Sequence, residues 1–218
     1  MQWKFILFDL DGTLTDSKPG ILRCVQYALE ACGCPESDET KLYPFIGPPL
    51  YDSFRHFCGM SDEQATFAVG KYRERFGKIG MFENAIYDGV PSLLTDLRDA
   101  GLRLAVATSK PEIYTLQILA HFHLTEYFHA IAGSDIQKEG EMKADVIRIA
   151  MQRLKMTSAD VADAVMIGDR KHDVEGAHAC GLPCIGVSYG YAPEGELKAF
   201  GASPIVATID ELKQVLLH

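Results

Sequence analysis

Positive charge is the first thing this sequence has little of. Its 21 lysines and arginines face 30 aspartates and glutamates, giving a net charge of −9 across 218 residues. A chain without a basic footprint is a poor match for nucleic acid, so none is expected as a partner. Long apolar runs are missing as well. None approaches the roughly 20 residues that span a bilayer, which argues against a membrane helix. Met-Gln-Trp-Lys leads straight into an apolar strand and leaves no room for a signal peptide, so a cytoplasmic location is expected. The six cysteines (Cys24, Cys32, Cys34, Cys58, Cys180 and Cys184) include no Cys-x-x-Cys pair. Cys32-x-Cys34 lacks zinc-site spacing, and His121-x-His123 has no partner ligand nearby, so reduced thiols and no metal are expected at either. Internal repeats and low-complexity tracts are absent.

What is present is ordinary globular material, 47% apolar and 23% charged, with length for one good-sized domain or a core plus a small insertion. Phe5-Ile-Leu-Phe8 is short, aromatic and branched without helical spacing, and reads as a strand buried on both faces. It ends abruptly in Asp9-Leu-Asp11-Gly12-Thr13. Ligands of open α/β sheets bind beyond the carboxyl ends of strands, and Gly12 permits a sharp, close-approaching turn there. Asp9 and Asp11 are two apart, so an extended backbone points both to one side. Carboxylates so close repel unless a cation or proton intervenes.

Along the chain, apolar spacing predicts a helix from Pro19 to Ala31, a loop at Tyr43–Leu50, a helix at Tyr51–Cys58, and another at Ser61–Phe76 opened by a capping box. Residues 16–83 therefore read as an all-helical insertion. After Asp88-Gly89 strands and helices alternate. The strands are expected at Leu102–Ala107, Ala130–Ala132, Ala164–Ile167, Pro183–Val187 and Ile205–Ala207. Between and after them come helices at Val90–Ala100, Pro111–Ala120, Lys143–Leu154, Asp173–Ala179 and Ile209–Leu217. This is an α/β pattern, a Rossmann-like three-layer parallel sheet core formed by residues 1–15 and 84–218.

Two further strand ends carry polar groups. The strand at Leu102–Ala107 runs into Thr108-Ser109-Lys110, whose hydroxyls suit a phosphate oxygen or a helix cap. The strand at Ala164–Ile167 runs into Gly168-Asp169-Arg170-Lys-His-Asp173. With Asp9, Asp169 and Asp173 would form the oxygen-rich shell that magnesium prefers, while Asp173 also reads as a helix cap. Lys143 stands at a helix start, where a cation is electrostatically misplaced, so it is expected to serve a ligand or carboxylate; Lys138 competes for that role. Arg170 adds positive charge beside the same turn.

Together these motifs resemble, in order and over nearly the whole chain, those of the haloacid dehalogenase superfamily, with an insertion like the helical cap of phosphoglycolate phosphatases and related nucleotidases. The resemblance implies a Mg²⁺-dependent phosphatase acting on a small phosphorylated metabolite, either phosphoglycolate-like or a nucleoside 5′-monophosphate. A sugar phosphomutase and a catalytically silent phosphate-binding protein are the alternatives. It implies Asp9 as nucleophile, Asp11 as general acid and base, Thr108 holding the transferring phosphoryl group, and Lys143 countering its charge. Metal ligation would fall to Asp9, Asp169 and the backbone carbonyl of Asp11, with Asp173 supporting. Gly12, Ser109, Arg23 and Arg170 are substrate-contact candidates; Tyr51, Arg55 and the Gly47-Pro48-Pro49 loop are further cap candidates. Lys143 is followed by Ala144, where many relatives have proline. A monomer and a homodimer are both compatible with the sequence.

Overall fold

The computed structural model describes residues 2–138 and 140–218. In chain order its elements are β1 (Phe5–Phe8), β2 (Thr15–Asp16), α1 (Lys18–Ala31), α2 (Leu50–Cys58), α3 (Asp62–Phe76), β3 (Ala85–Ile86), α4 (Val90–Asp99), β4 (Arg103–Pro111) and α5 (Glu112–His121). These are followed by β5 (Ala130–Ser134), α6 (Lys143–Arg153), β6 (Ala164–Gly168), α7 (Lys171–Ala179), β7 (Cys184–Val187), α8 (Glu196–Ala199), β8 (Ile205–Val206) and α9 (Ile209–Leu217). Two compact units emerge, one of Met1–Asp16 with Ile86–His218 and one of Ser17–Ala85.

The larger unit is built on a six-stranded, wholly parallel sheet in the order β5-β4-β1-β6-β7-β8. This is the α/β, helix-flanked parallel sheet that the alternating pattern predicts. Every residue of β1 is buried, as its unbroken apolar run requires. Its alternate side chains feed opposite faces. Phe5 and Leu7 join Ala105, Ala107, Ala132 and Met166 against Val146, Ile147 and Ala150 of α6 and Val174 and Ala177 of α7. At about 1.5–3 kcal/mol for each large side chain removed from water, such a layer outweighs any local turn preference. Because β1 is flanked by β4 on one side and β6 on the other, the chain reverses its direction of travel across the sheet at β1. The crevice of a doubly wound sheet opens at such a point.

The smaller unit is built of helices joined by loops, and among its described residues only the last, Ala85, is in a strand. Its α3 starts with the expected capping box: Ser61 Oγ accepts from the Gln64 N–H while Gln64 Oε1 accepts from the Ser61 N–H. A 3₁₀ turn, Glu39–Phe45, capped by Asp38, runs into the first three residues of the expected prolyl loop, and residues 46–49 are without helix or strand as expected.

One departure bears on the site. The strand expected to stop at Ala107 continues to Pro111, but with a break in register. Ala107 faces Ala132 and Pro111 faces Ser134, so two extra residues of β4 are accommodated as a bulge. Thr108-Ser109-Lys110 therefore belongs to a bulged strand, and Pro111 serves as the N-cap residue of α5.

Candidate active site

Three neighbouring strand ends converge. Asp9 continues β1, and its N–H donates to Ile167 O of β6 (2.9 Å). The backbone then turns at Gly12, whose φ of +81° favours glycine. A Cβ there would stand 2.2 Å from Asp169 Oδ2, so the absent side chain is what admits the carboxylate. Asp169 follows β6, and Asp173 sits in the first turn of α7, where its Oδ2 accepts from the Arg170 N–H (3.0 Å). Asp9, Asp169 and Asp173 are all buried and each offers a carboxylate oxygen within 4.8 Å of the others.

Two ammonium groups answer this charge. Lys143, at the first position of α6, places Nζ 2.7 Å from Asp9 Oδ1 and 2.6 Å from Asp173 Oδ1. Burial works against its charge, but Asp173 and Asp9 outweigh that and hold its pKa above the ordinary lysine range. Lys110 places Nζ 2.8 Å from Asp11 Oδ2. Lys138, the competing lysine, is exposed and pairs with Glu141 (3.4 Å). Four carboxylates facing two ammonium groups leave a surplus of two negative charges, which one divalent cation would match.

The cluster itself fits such an ion. Asp169 is fully buried; Oδ2 accepts from the Tyr191 N–H (2.7 Å), while Oδ1 has no hydrogen-bond partner among the described residues. Burial, then the nearby charges of Asp173 and Asp9, push its pKa well above the usual carboxylate range. Burial also raises Asp173, to about 6 against the opposing pull of Lys143. Both shifts express a demand for positive charge. Oxygen-only ligands of this kind suit Mg²⁺. The carboxylate of Asp11 stands outside the cluster, on Lys110.

Thr108 is buried, and its Oγ1 accepts from the Lys110 N–H (3.3 Å). Ser109 is exposed, and its carbonyl accepts from Ser134 Oγ (2.8 Å). Arg170 is ion-paired with Glu196 (Nε to Oε1, 2.8 Å), and the same oxygen accepts from the Lys171 N–H (3.0 Å). Arg23 belongs to the helical unit, where it donates to Glu83 (2.8 Å), a carboxylate that Arg75 also holds. Tyr51 and Arg55, in the same unit, both donate to Asp62.

Sequence reasoning missed a second line of residues around the cluster. Tyr191 ties Asp169 through its N–H and reaches Asp16 Oδ1 through its hydroxyl (2.8 Å). Gly190 packs so closely that a Cβ would lie 2.4 Å from both Asp169 Cβ and Gly12 O. The available signal was Tyr189-Gly190-Tyr191 just beyond the carboxyl end of β7, an aromatic-glycine turn on the ligand side of the sheet.

Known proteins resemble this chain over nearly its whole length. A family model described as haloacid dehalogenase-like hydrolase matches residues 6–187. A 5′-nucleotidase of Pseudomonas aeruginosa is 43% identical over 216 residues, covering 99% of this chain and 96% of its own. The tyrosine-protein kinase PtkA of Mycobacterium tuberculosis is 38% identical over 98% of this chain and 72% of its own. A crystal structure of a predicted phosphatase from Clostridium acetobutylicum superimposes with a TM-score of 0.92 at 47% identity, covering 100% of this chain and 99% of that one.

Proposed function

We propose, from the premise that this chain belongs to the haloacid dehalogenase-like hydrolases and is a phosphoric monoester hydrolase, that it hydrolyses nucleoside 5′-monophosphates by way of a phosphorylated Asp9. The single observation that carries the reading is the pairing of Asp9 with Lys143 inside the Asp169 and Asp173 cluster, beside a separately held Asp11. An oxygen nucleophile attacking a phosphate is one anion approaching another, so the site must supply cationic stabilisation where the charge concentrates. Lys143 supplies part of it. Asp9, Asp169, Asp173 and the Asp11 carbonyl would hold Mg²⁺, which when bound neutralises phosphoryl oxygens and orients them for in-line displacement.

Asp9 attacks phosphorus as the bond from phosphorus to the leaving alcohol breaks, leaving an acyl phosphate on the side chain. Asp11 gives its proton to the departing oxygen and then takes one from the water that attacks phosphorus. Inorganic phosphate and free Asp9 result. Thr108, buried at the end of the central run of β4, would hold a phosphoryl oxygen. We assign substrate choice to the helical insertion, with Arg23, Tyr51 and Arg55 as residues to test, and Ser109 and Arg170 as contacts on the core side. The nucleotide substrate follows the 5′-nucleotidase relative, whose alignment runs the length of both chains.

A panel of phosphorylated metabolites assayed with and without Mg²⁺ tests this. Release of inorganic phosphate from nucleoside 5′-monophosphates ahead of phosphoglycolate is expected, and isomerised sugar phosphate without free phosphate would instead mean a mutase. A tyrosyl acceptor with ATP in the same panel examines the activity for which the mycobacterial relative is named. Asp9→Asn is expected to lose activity by about 10³-fold or more while keeping its circular dichroism spectrum; undiminished turnover would rule out Asp9 as the nucleophile.

A further inference from the structure

The scheme above leaves one buried cation without a task. The side chain of Lys110 is 6% exposed, and its Nζ lies 2.8 Å from Asp11 Oδ2. The other oxygen of that carboxylate, Oδ1, is buried and has no hydrogen-bond partner among the described residues. Asp11 is thus held by one oxygen with the other left to act. The β4 bulge is what delivers the lysine. In a regular strand Thr108 and Lys110, two residues apart, would project from the same face in register with β5. Two extra residues between the Ala107 and Pro111 pairings break that alternation. The bulge is fixed locally: the Lys110 N–H donates to Thr108 Oγ1 (3.3 Å), the Ser109 carbonyl accepts from Ser134 Oγ (2.8 Å), and Gly133 lies beneath the Lys110 carbonyl. Bulges beside active sites commonly re-aim a side chain.

We propose that Lys110 is a positioning residue that anchors Asp11 by Oδ2, so that Oδ1 faces the bridging oxygen of the substrate throughout the reaction. This rests on Asp11 being the group that gives and takes the proton. Lys110 transfers no proton itself. An ammonium offers three donors on a flexible stem, enough to hold one carboxylate oxygen while the other exchanges its proton.

Loss of a lysine that anchors Asp11, unlike loss of a merely structural one, should matter in proportion to how much the leaving group needs a proton. Lys110→Gln, Lys110→Arg and Asp11→Asn would be compared on a nucleoside 5′-monophosphate, whose alkoxide leaves poorly, and on p-nitrophenyl phosphate, whose phenolate leaves unaided. Lys110→Gln is expected to lower kcat on the nucleotide by about 10–100-fold, with less than about 3-fold loss on the aryl ester and little change in KM. Methylamine should restore part of the lost turnover. Lys110→Arg keeps the charge in a stiffer fork and should fall between wild type and Lys110→Gln; it carries the test if the Gln variant fails to fold. Equal losses on both substrates, or an effect confined to KM, would overturn the anchoring role while leaving that of Asp11 intact, provided Asp11→Asn shows the leaving-group dependence. Absence of that dependence in Asp11→Asn overturns both.

Discussion

Gly190 is a residue at which the site has no room for a side chain. It touches nothing through chemistry of its own, yet a Cβ at this position would stand 2.4 Å from Gly12 O and 2.5 Å from Asp169 Oδ2. Neither neighbour can yield, since one is backbone and the other is a fully buried carboxylate already fixed by the Tyr191 N–H. Gly190→Ala should therefore shift Asp169 and weaken Mg²⁺ by roughly 10–100-fold, the cost usual when the support of a metal ligand is disturbed. Titration of activity against Mg²⁺ reads this, and an unchanged half-saturation would show that Gly190 does not set the carboxylate. The contrast with Asp9, Asp11, Asp169 and Asp173 explains what sequence can reveal at this scale. Those four stand out because a charged side chain directly after a buried strand, or on the turn that follows it, has a chemical reason to be there. Gly190 matters through an approach between residues 178 apart in the chain, which no local pattern encodes. Lys110 is intermediate: it was visible beside Thr108, but its partner was not, because two bulge residues decide where its side chain goes.

At the level of elements, periodicity located the strands and helices well, and where it erred the cause was a tertiary contact. The helix at Ile209–Leu217 and the capping box of α3 are local patterns and appear as expected. β4 runs past its apolar stretch because pairing with β5 resumes at Pro111 and Ser134 after the bulge. That pairing depends on Gly133, where a Cβ would meet Glu112 Cα at 2.5 Å and Lys110 O at 2.7 Å. The Gly133 N–H also donates to Glu112 Oε2 (3.2 Å), which Arg153 holds from α6 (2.6 Å). Gly133→Ala must push the bulge away from β5. A loss of about 1–3 kcal/mol in denaturant unfolding is expected, as for other overpacked positions, together with reduced turnover because Thr108 and Lys110 move with the bulge. Full activity in a destabilised Gly133→Ala protein would separate the bulge from catalysis.

The molecule as a whole places a buried acidic cluster under an acidic net charge of −9, so its stability and its cation affinity should be linked through pH. Asp173 is raised to about 6 by burial, opposed by Lys143, from an ordinary value of 3.8. Between those two values the folded chain keeps a proton that the unfolded chain has released. The contribution of this group is therefore fully present below about 3.8 and is lost as pH rises through about 6, on the order of 2–3 kcal/mol. Asp169, raised by burial and by its neighbouring carboxylates, acts in the same direction. A bound divalent cation selects the ionised forms and reverses the penalty, because its ligands must be deprotonated to bind. Ion-paired carboxylates outside the cluster such as Glu83, held down chiefly by Arg75, contribute the opposite slope, but they do so with or without metal. The difference between thermal melts in Mg²⁺ and in EDTA isolates the cluster. That difference should be large at pH 7.5, shrink through pH 6 and nearly vanish at pH 5. In Asp169→Asn, which removes one ligand charge, it should be small at every pH. A Mg²⁺ increment that is as large at pH 5 as at pH 7.5 would mean that the cation binds elsewhere on this acidic surface. The strand-end carboxylates would then be stabilised by Lys143 and Lys110 alone.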